Sequence, residues 1–479
     1  MNYGMILYIL CWVLQFEALF LTLPAACSWI YHEACGNSFL IVAAFAYVVG
    51  FVGTRKKPSS NVFYAKEGFV TVCLSWILLS LVGALPFFIS GEIPNFTNAL
   101  FETISGFTTT GATILGNVEG LSYSMRFWRS FTHWIGGMGV LVFLMAVLPL
   151  AGGYNMHLMR AEAPGPNVGK LVPRIKETAK ILYGIYIVLT MFEIAALLFA
   201  GMNMYESINL SFATLGTGGF GILNSSIASY STTVKIIITI FMVLASLNFN
   251  VYYMIMVRKP KAALKCEEMR WHLIILGLSI LFMTINIRHM FPNIKDALVE
   301  AAFQGASIMS STGFATTDFN LWPEFSKAIL VILMIIGASA GSTGGGIKVS
   351  RVITIAKALK KELSYIVHPR SIKKLSLEGH SIPHETLRSI NAFVICYGFF
   401  VFISLLIISL DNFDFTTNFT AIIACLNNIG PGIGGVGPME TFDKFSDMSK
   451  YTLMFNMLAG RLELFPMLVL FSPSTWRSR

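Results

Sequence analysis

Charged residues are scarce in this sequence of 479 residues, where Asp, Glu, Lys and Arg together account for 12%. Soluble domains carry about a quarter of such residues, nearly all of them at the surface. Apolar residues (AVILMFWYC) make up 55% of the chain, and the mean hydropathy is +0.68. So few charges cannot keep so much apolar surface soluble. The composition therefore excludes an ordinary soluble protein and predicts an all-α, polytopic membrane protein.

Several motifs that carry chemistry are also missing. The seven cysteines are scattered and mostly lie in apolar stretches, without a CxxC pair or a Cys/His cluster, so we expect neither disulfides nor zinc. No HExxH motif occurs, and Lys348 follows Ile347 where a P-loop needs a glycine. The net charge of +9 follows membrane topology and not a nucleic-acid footprint. We therefore expect no enzyme, no cofactor bound by this chain and no nucleic-acid partner.

Long apolar runs are abundant, and a membrane-spanning helix needs about 20 such residues. We expect the first run to be a retained helix and not a cleaved signal peptide, because no basic region precedes it. The ten predicted spans are 5–30, 38–53, 69–90, 124–150, 180–201, 232–257, 271–288, 327–357, 388–410 and 450–471. Four shorter apolar segments, typical of re-entrant helices, are 96–106, 205–215, 297–309 and 416–427.

The connecting loops alternate in charge, which predicts their sides of the membrane. Loops rich in Lys and Arg are expected in the cytoplasm. With that orientation both termini are cytoplasmic and every short segment enters from the outer side. The basic stretches are 55–66, 160–180, 258–270, 357–388 and the tail 477–479.

After two leading helices, the chain repeats a pattern of helix, short helix, loop and helix four times. A similar sequence follows each short segment, with glycine in fourth place: Thr108–Ala112, Gly216–Phe220, Ser310–Phe314 and Asn427–Pro431. The predicted divisions are 1–67 for the leading helices and their loop, and 68–152, 153–258, 259–357 and 358–479 for units 1 to 4.

Four loops at matching places predict one central pore. Irregular backbone at membrane depth is tolerated where it lines a water-filled path. Its carbonyls can replace the hydration shell of a bare cation, and glycine allows the backbone angles that this requires. The C-terminal ends of the short helices would add partial negative charge. The alternative is that these glycines serve only helix packing or turns.

Several motifs resemble the superfamily of potassium channels and Trk/Ktr/HKT cation transporters. They are Gly106–Thr113, Asn428–Gly432, Gly341–Lys348 and Ala459–Pro466. The two leading helices point to the Trk branch, and the chain is most similar to the TrkH/TrkG membrane subunits of bacterial potassium uptake. The resemblance implies four helix–pore loop–helix units around one pore that carries K⁺ across the inner (cytoplasmic) membrane. None of the units contains the TVGYG string of potassium channels.

The resemblance also implies which residues form the filter, with K⁺ bound only there. The implied filter residues are Thr109, Thr110, Gly111, Thr217, Gly218, Gly219, Ser311, Thr312, Gly313, Asn428, Ile429 and Gly430. It further implies a homodimer and a cytoplasmic ring of TrkA-type subunits that bind NAD and adenine nucleotides. The basic loops 258–270 and 357–388 are candidate docking surfaces, and anionic lipid would explain their charge equally well.

A candidate gate lies below the filter. The stretch 337–346, including Gly344, Gly345 and Gly346, interrupts an apolar run, so it is either a gate or a packing kink. Arg461 lies inside the last span, where it is either a fixed charge at the pore or a structural residue paired with an acid or with carbonyls. Glu463, two residues on, is expected to point elsewhere on the same helix. His133 is interpreted as a hydrogen-bonded packing residue.

One alternative mechanism stays open at this stage. An ion-coupled potassium symporter working by alternating access would use protons or sodium as the coupled ion. Such proteins usually show inverted repeats and paired broken helices, whereas the repeats here are parallel and fourfold. The sequence alone does not reveal coupling.

Overall fold

The computed structural model describes residues 1–58, 65–139, 175–370 and 374–476. The second half of the predicted span 124–150, the division between units 1 and 2, and Arg160, Lys170 and Arg174 lie outside these ranges. Within them the regular secondary structure is helical except for one two-stranded antiparallel sheet, Ser376–Leu377 with His380–Ser381. Its register pairs Ser376 with Ser381 and Leu377 with His380.

Two leading helices, Tyr3–Ile30 and Gly36–Arg55, pack side by side and against unit 1. Asn2 caps the first, because its side chain accepts a hydrogen bond from the Met5 N–H at 3.1 Å. The turn between them docks on unit 1 through Glu33. Its carboxylate accepts the backbone N–H groups of Tyr123 and Ser124 at 2.5 and 3.0 Å.

Four units follow, each with an outer helix, a short helix, a loop and an inner helix. In unit 1 the helices are Ala65–Ser90, Phe96–Phe107 and Tyr123–Gly137. In unit 2 they are Ile175–Phe199, Met204–Leu215 and the bent pair Thr232–Ser246 and Phe249–Met256. In unit 3, after the connecting helix Pro260–Lys265, they are Glu267–Ile287, Ile294–Met309 and the broken pair Glu324–Ile336 and Val349–Val367. In unit 4 they are His384–Ile408, Phe415–Leu426 and the broken pair Asp447–Arg461 and Phe465–Phe471, followed by Pro473–Trp476.

The repeat extends to the residues that start the helices. The side chains of Asn95, Asn203 and Asp414 cap the short helices of units 1, 2 and 4. The inner helices of the same units begin after Ser122, Ser231 and Ser446, whose hydroxyls accept a first-turn N–H. Unit 3 differs, because Asn293 makes no capping bond and Pro323 precedes its inner helix.

Six helices in the described part are long and apolar enough to cross a membrane, or up to eight if each bent pair counts as one span. The bends are 90° between Ser246 and Phe249 and 120° between Arg461 and Phe465. Ten spans were predicted. Of the two runs left uncounted, 124–150 is described only to residue 139, and 327–357 is split by a nonhelical loop over residues 337–348.

The two ends of the described chain meet. The hydroxyl of Tyr3 donates to the Trp476 carbonyl at 3.3 Å, and their rings stack with centroids 6.4 Å apart. Lys66, at the start of the first outer helix, donates to the Ser474 carbonyl at 3.3 Å. Both ends of the described chain and the start of the first outer helix therefore lie on the same side of the molecule.

Candidate functional site

All four short helices end in the same way. In unit 1 the Thr109 N–H bonds to the Gly106 carbonyl and the Thr110 N–H bonds to the Ser105 carbonyl, at 3.1 and 2.9 Å. This is a Schellman motif, which turns the chain sharply at a helix C-terminus. The corresponding long bonds in units 2, 3 and 4 measure 2.8, 2.9 and 2.8 Å and join Gly218 to Ala213, Thr312 to Ser307 and Ile429 to Ala424.

The turn places a residue other than glycine in the left-handed region in every unit. These residues are Thr109, Thr217, Ser311 and Asn428, with φ between 53° and 59°. A β-branched threonine at positive φ is a genuine outlier, and such strain gathers at functional sites. Two residues later the predicted glycines Gly111, Gly219, Gly313 and Gly430 also have positive φ, of 78°, 78°, 81° and 97°.

The four loops close a ring. A Cβ atom built on Gly111 would lie 2.0 Å from the Gly218 carbonyl oxygen of unit 2. The same test on Gly219 meets the Thr312 oxygen at 1.9 Å. On Gly313 it meets the Ile429 oxygen at 1.9 Å, and on Gly430 the Thr110 oxygen at 2.7 Å. Each glycine thus abuts the carbonyl before the next unit's glycine, in the order 1, 2, 3, 4 and back to 1.

The carbonyls of the ring are available for an ion. No hydrogen bond between described residues ends on the carbonyl oxygens of Thr110, Gly218, Thr312 or Ile429, although all four residues are buried. Buried carbonyls normally have a partner, so four without one need an explanation. An open cavity reaches the ring, and its lining includes all four glycines together with Glu440.

The predicted break in unit 3 is present and lies against two of the ring loops. The Gly345 N–H donates to the Ser311 hydroxyl at 2.6 Å. A Cβ on Gly344 would come within 2.5 Å of the Ser310 carbonyl oxygen, and one on Gly345 within 2.1 Å of the Asn427 oxygen. Gly346 has φ of 87° and packs on Gly337 at the neck of the loop. Glycine at these positions therefore allows close backbone packing. Gly344 and Gly345 pack against the ring loops of units 3 and 4, and Gly346 packs at the neck of the broken segment.

Arg461 joins the loop to another unit. Its guanidinium donates to the Thr343 carbonyl at 2.8 Å, to the Gly137 carbonyl at 3.0 Å and to the Gly136 carbonyl. Unit 4 thereby contacts the broken segment of unit 3 and the inner helix of unit 1 through one side chain. These carbonyl partners agree with the structural pairing that was the alternative, and the role of Arg461 as a fixed charge at the pore stays a prediction.

The expected geometry of Glu463 is corrected by the structure. The helix ends at Arg461, and Glu463 and Leu464 have φ of 58° and 65°, so Glu463 is not on the helix at all. Its carboxylate pairs with Arg351 at the start of the segment after the loop. Arg351 also lies over the Phe393 ring, 4.1 Å from its centroid.

Comparison with known proteins shows the family to which the chain belongs. The TrkH model, described as cation transport protein, matches residues 36–478. The chain belongs to the TrkH family. The Trk system potassium uptake protein TrkH of Escherichia coli K12 is 36% identical over 463 residues, with 95% of each chain covered. TrkG of the same organism is 32% identical over 445 residues, with 92% of this chain and 91% of its own length covered.

Comparison with solved structures agrees with this family assignment. The crystal structure of the potassium transporter TrkH from Vibrio parahaemolyticus matches with a TM-score of 0.90 at 31% identity, covering 100% of both chains. The resemblance inferred from the motifs is therefore confirmed. These relatives are transport proteins and not enzymes, as predicted.

A polar cluster that holds the broken loop of this TrkH-family protein has no signal in the sequence. Glu268, buried at the start of the unit 3 outer helix, accepts the N–H groups of Ala340 and Ser350 at 2.7 and 3.1 Å. Its other oxygen accepts the Asn248 amide at 3.2 Å. One carboxylate thus ties the bend of unit 2 to both sides of the loop.

A buried ion pair stabilises the turn after the first ring glycine. The Glu102 carboxylate lies 2.7 Å from the Arg129 guanidinium, and the two side chains are 0% and 2% exposed. Glu102 also accepts the Thr113 hydroxyl at 2.9 Å and the Ile114 N–H at 3.1 Å. Arg129 reaches unit 2, where it donates to the Gly221 carbonyl at 3.3 Å. The pair therefore fixes two neighbouring loops.

We expect Glu102→Leu to lower the free energy of unfolding by about 3–5 kcal/mol, because it leaves the Arg129 charge buried without its partner. Thermal unfolding of the purified protein in detergent measures this loss. The double variant Glu102→Leu/Arg129→Met replaces the pair by apolar groups and should lose much less than the sum of the two single losses. Additive losses would show that the pair is not coupled.

Two acids of the described part, Asp443 and Glu324, are paired with lysines. Asp443 accepts the Lys450 ammonium at 3.0 Å and the Asn98 amide at 2.9 Å, and Glu324 pairs with Lys327 at 2.6 Å. Among the described residues, no three His, Cys, Asp or Glu side chains form a group able to hold a metal ion. The ring of backbone carbonyls is therefore the best candidate ion site in this part of the chain.

Proposed function

We propose that this protein takes up potassium across the bacterial inner membrane through a channel-like path whose selectivity filter is the ring of four loops. The observation that carries the proposal is the closure of the ring, in which each glycine abuts the next unit's carbonyl. Relatives named as potassium uptake proteins of Trk systems support the choice of ion and the direction.

The backbone chemistry suits a bare monovalent cation. The Schellman bonds use the N–H groups of the loop residues, so their carbonyl oxygens are the polar groups left for an ion. Rings of such carbonyls can replace the hydration shell of K⁺. The C-terminal ends of four short helices meet the loops and add partial negative charge, which favours a cation and disfavours an anion.

The proposed gate consists of the loop with Gly344, Gly345 and Gly346 together with Arg461. In a ring of four, units 1 and 3 lie on opposite sides of the axis. A guanidinium from unit 4 that binds carbonyls of both therefore lies near the axis, where its charge repels a permeating cation. The contacts of the loop with Ser311 and Asn427 support the same placement below the filter.

The orientation and the partners belong to the same proposal. The ends of the described chain, at Tyr3 and Trp476, lie on one side, and the basic loops favour the cytoplasm for that side. The Trk-system relatives support work with further Trk components. A homodimer and a TrkA-type nucleotide-binding ring stay predictions from the resemblance. No observation favours the alternating-access alternative.

The test is cation flux into proteoliposomes that contain the purified protein under an imposed voltage. We expect Rb⁺ and K⁺ to enter in proportion to the voltage, without a proton or sodium gradient, and Na⁺ to enter more slowly. Because the wild type can be closed, Arg461→Ala is measured in parallel as an opened form. Flux that requires a proton or sodium gradient, or no voltage-driven flux in either protein, overturns the proposal.

Glu268 offers a second test of the gate. We expect Glu268→Ala to raise basal flux about tenfold, since a hydrogen bond to a charged group contributes about 1.5–3 kcal/mol and 1.4 kcal/mol is a factor of ten. Rb⁺ uptake by the same proteoliposomes measures it. Glu267→Ala is the matched control, because the neighbouring Glu267 pairs with Lys357 away from the loop. Equal flux in both variants would contradict a role for Glu268 in holding the loop.

A further inference from the structure

His133 contacts the filter loop of the next unit. It lies on the inner helix of unit 1 and is fully buried. Its Nδ1 lies 2.8 Å from the Gly106 carbonyl oxygen, and its Nε2 accepts the Phe220 N–H at 3.3 Å. A Cβ on Gly218 would lie 2.2 Å from the imidazole of His133, so the imidazole packs directly against the backbone of that proposed filter residue.

Unit 2 lacks a support that two other units have. In units 1 and 3 two hydroxyls flanking the left-handed residue bond to each other behind the loop. The pairs are Thr108 with Thr110 at 2.8 Å and Ser310 with Thr312 at 2.7 Å. Unit 2 has Gly216 and Gly218 at these places, and both glycines face His133. The imidazole therefore occupies the space at Gly218 that a threonine side chain fills in units 1 and 3, and the backbone carbonyl of His133 lies against Gly216.

We propose that His133 is a positioning residue for the filter, which replaces the missing hydroxyl pair of unit 2 and holds the Gly218 carbonyl in the ring. This inference rests on the proposed function of the ring. The two contacts require a neutral imidazole that donates from Nδ1 to Gly106 and accepts at Nε2 from Phe220. The contacts join the short helix of unit 1 to the residue after the ring glycine of unit 2, so they set the spacing of two adjacent loops.

The role differs from simple core packing in what it controls. A packing residue sets stability, whereas a residue that orients a filter carbonyl also sets the discrimination between cations. His133→Leu fills the space but makes neither hydrogen bond. His133→Gln keeps a donor and an acceptor on one planar group, as neutral imidazole does. The pair of variants separates hydrogen bonding from volume.

The experiment measures voltage-driven Rb⁺ and Na⁺ flux in proteoliposomes, in the wild type and in the Arg461→Ala background, which we expect to hold the path open. We expect His133→Leu to lower the Rb⁺/Na⁺ flux ratio about five- to tenfold, the factor that one buried hydrogen bond carries, and His133→Gln to restore most of it. Thr190→Val is the control, because it removes the 3.2 Å bond from the indole of Trp134, next to His133 and away from the ring.

Two further results complete the test. Gly219→Ala, in the same loop, should also lower the ratio, because its Cβ would meet the Thr312 oxygen. If Gly219→Ala leaves the ratio unchanged, the filter itself is misassigned. If Gly219→Ala lowers it but His133→Leu does not, or Thr190→Val lowers it as much, only the role of His133 is overturned. Size-exclusion profiles identify any variant that fails to fold, and His133→Asn then takes its place.

Discussion

Replacing Gly313 by serine will lower the Rb⁺/Na⁺ flux ratio by at least about tenfold. A side chain at its φ of 81° costs roughly 1–2 kcal/mol from the left-handed backbone alone. Its Cβ would also lie 1.9 Å from the Ile429 oxygen, so that carbonyl has to leave its place in the ring. Since 1.4 kcal/mol is a factor of ten, the strain is large enough to change the carbonyl spacing on which the proposed selectivity depends.

The measurement compares the two fluxes under the same voltage in the same proteoliposomes. Gly398→Ser is the matched control, because that glycine lies in an outer helix with no atom within 4 Å of an added Cβ. Gly430→Ser provides a graded second case, since its Cβ meets the Thr110 oxygen only at 2.7 Å. A ratio that is unchanged in Gly313→Ser, or reduced equally in Gly398→Ser, would contradict the ring as filter.

The repeat, and with it the ring glycines, could be predicted from the sequence. Gly111, Gly219, Gly313 and Gly430 follow four apolar segments too short to span, and this pattern is local. The interruption after Ile336 was likewise predictable, because several glycines within an apolar run weaken a helix. Local spacing and composition thus carry much of the secondary structure.

What the sequence did not reveal depends on contacts between distant residues. Arg461 binds carbonyls more than 100 residues away in units 1 and 3. Because every residue has a backbone carbonyl, the residue types do not show which residues are the partners. The break after Arg461 was missed because an apolar run of sufficient length predicts a span whether or not it bends. His133 was interpreted as packing because nothing in the local sequence shows that Gly218 leaves space for its imidazole.

Arg461→Ala will raise basal voltage-driven flux about ten- to hundredfold. The substitution removes three bonds to carbonyls that hold the loop against unit 1. It also removes a fixed positive charge: at 4 Å, with an effective dielectric constant of 20, such a charge costs a cation about 4 kcal/mol. Both effects act in the same direction, because the loop loosens and the path becomes less repulsive.

Arg461→Lys separates the two effects. Lysine keeps the charge but lacks the planar fork that reaches Thr343 and Gly136 together, so we expect a flux between wild type and Arg461→Ala. Equal flux in Arg461→Lys and wild type would assign the block to charge, and equal flux in both variants would assign it to the bonds with the loop. If wild type conducts and a folded Arg461→Ala, as its thermal unfolding shows, conducts no more, Arg461 is a structural tie between units and not part of the gate.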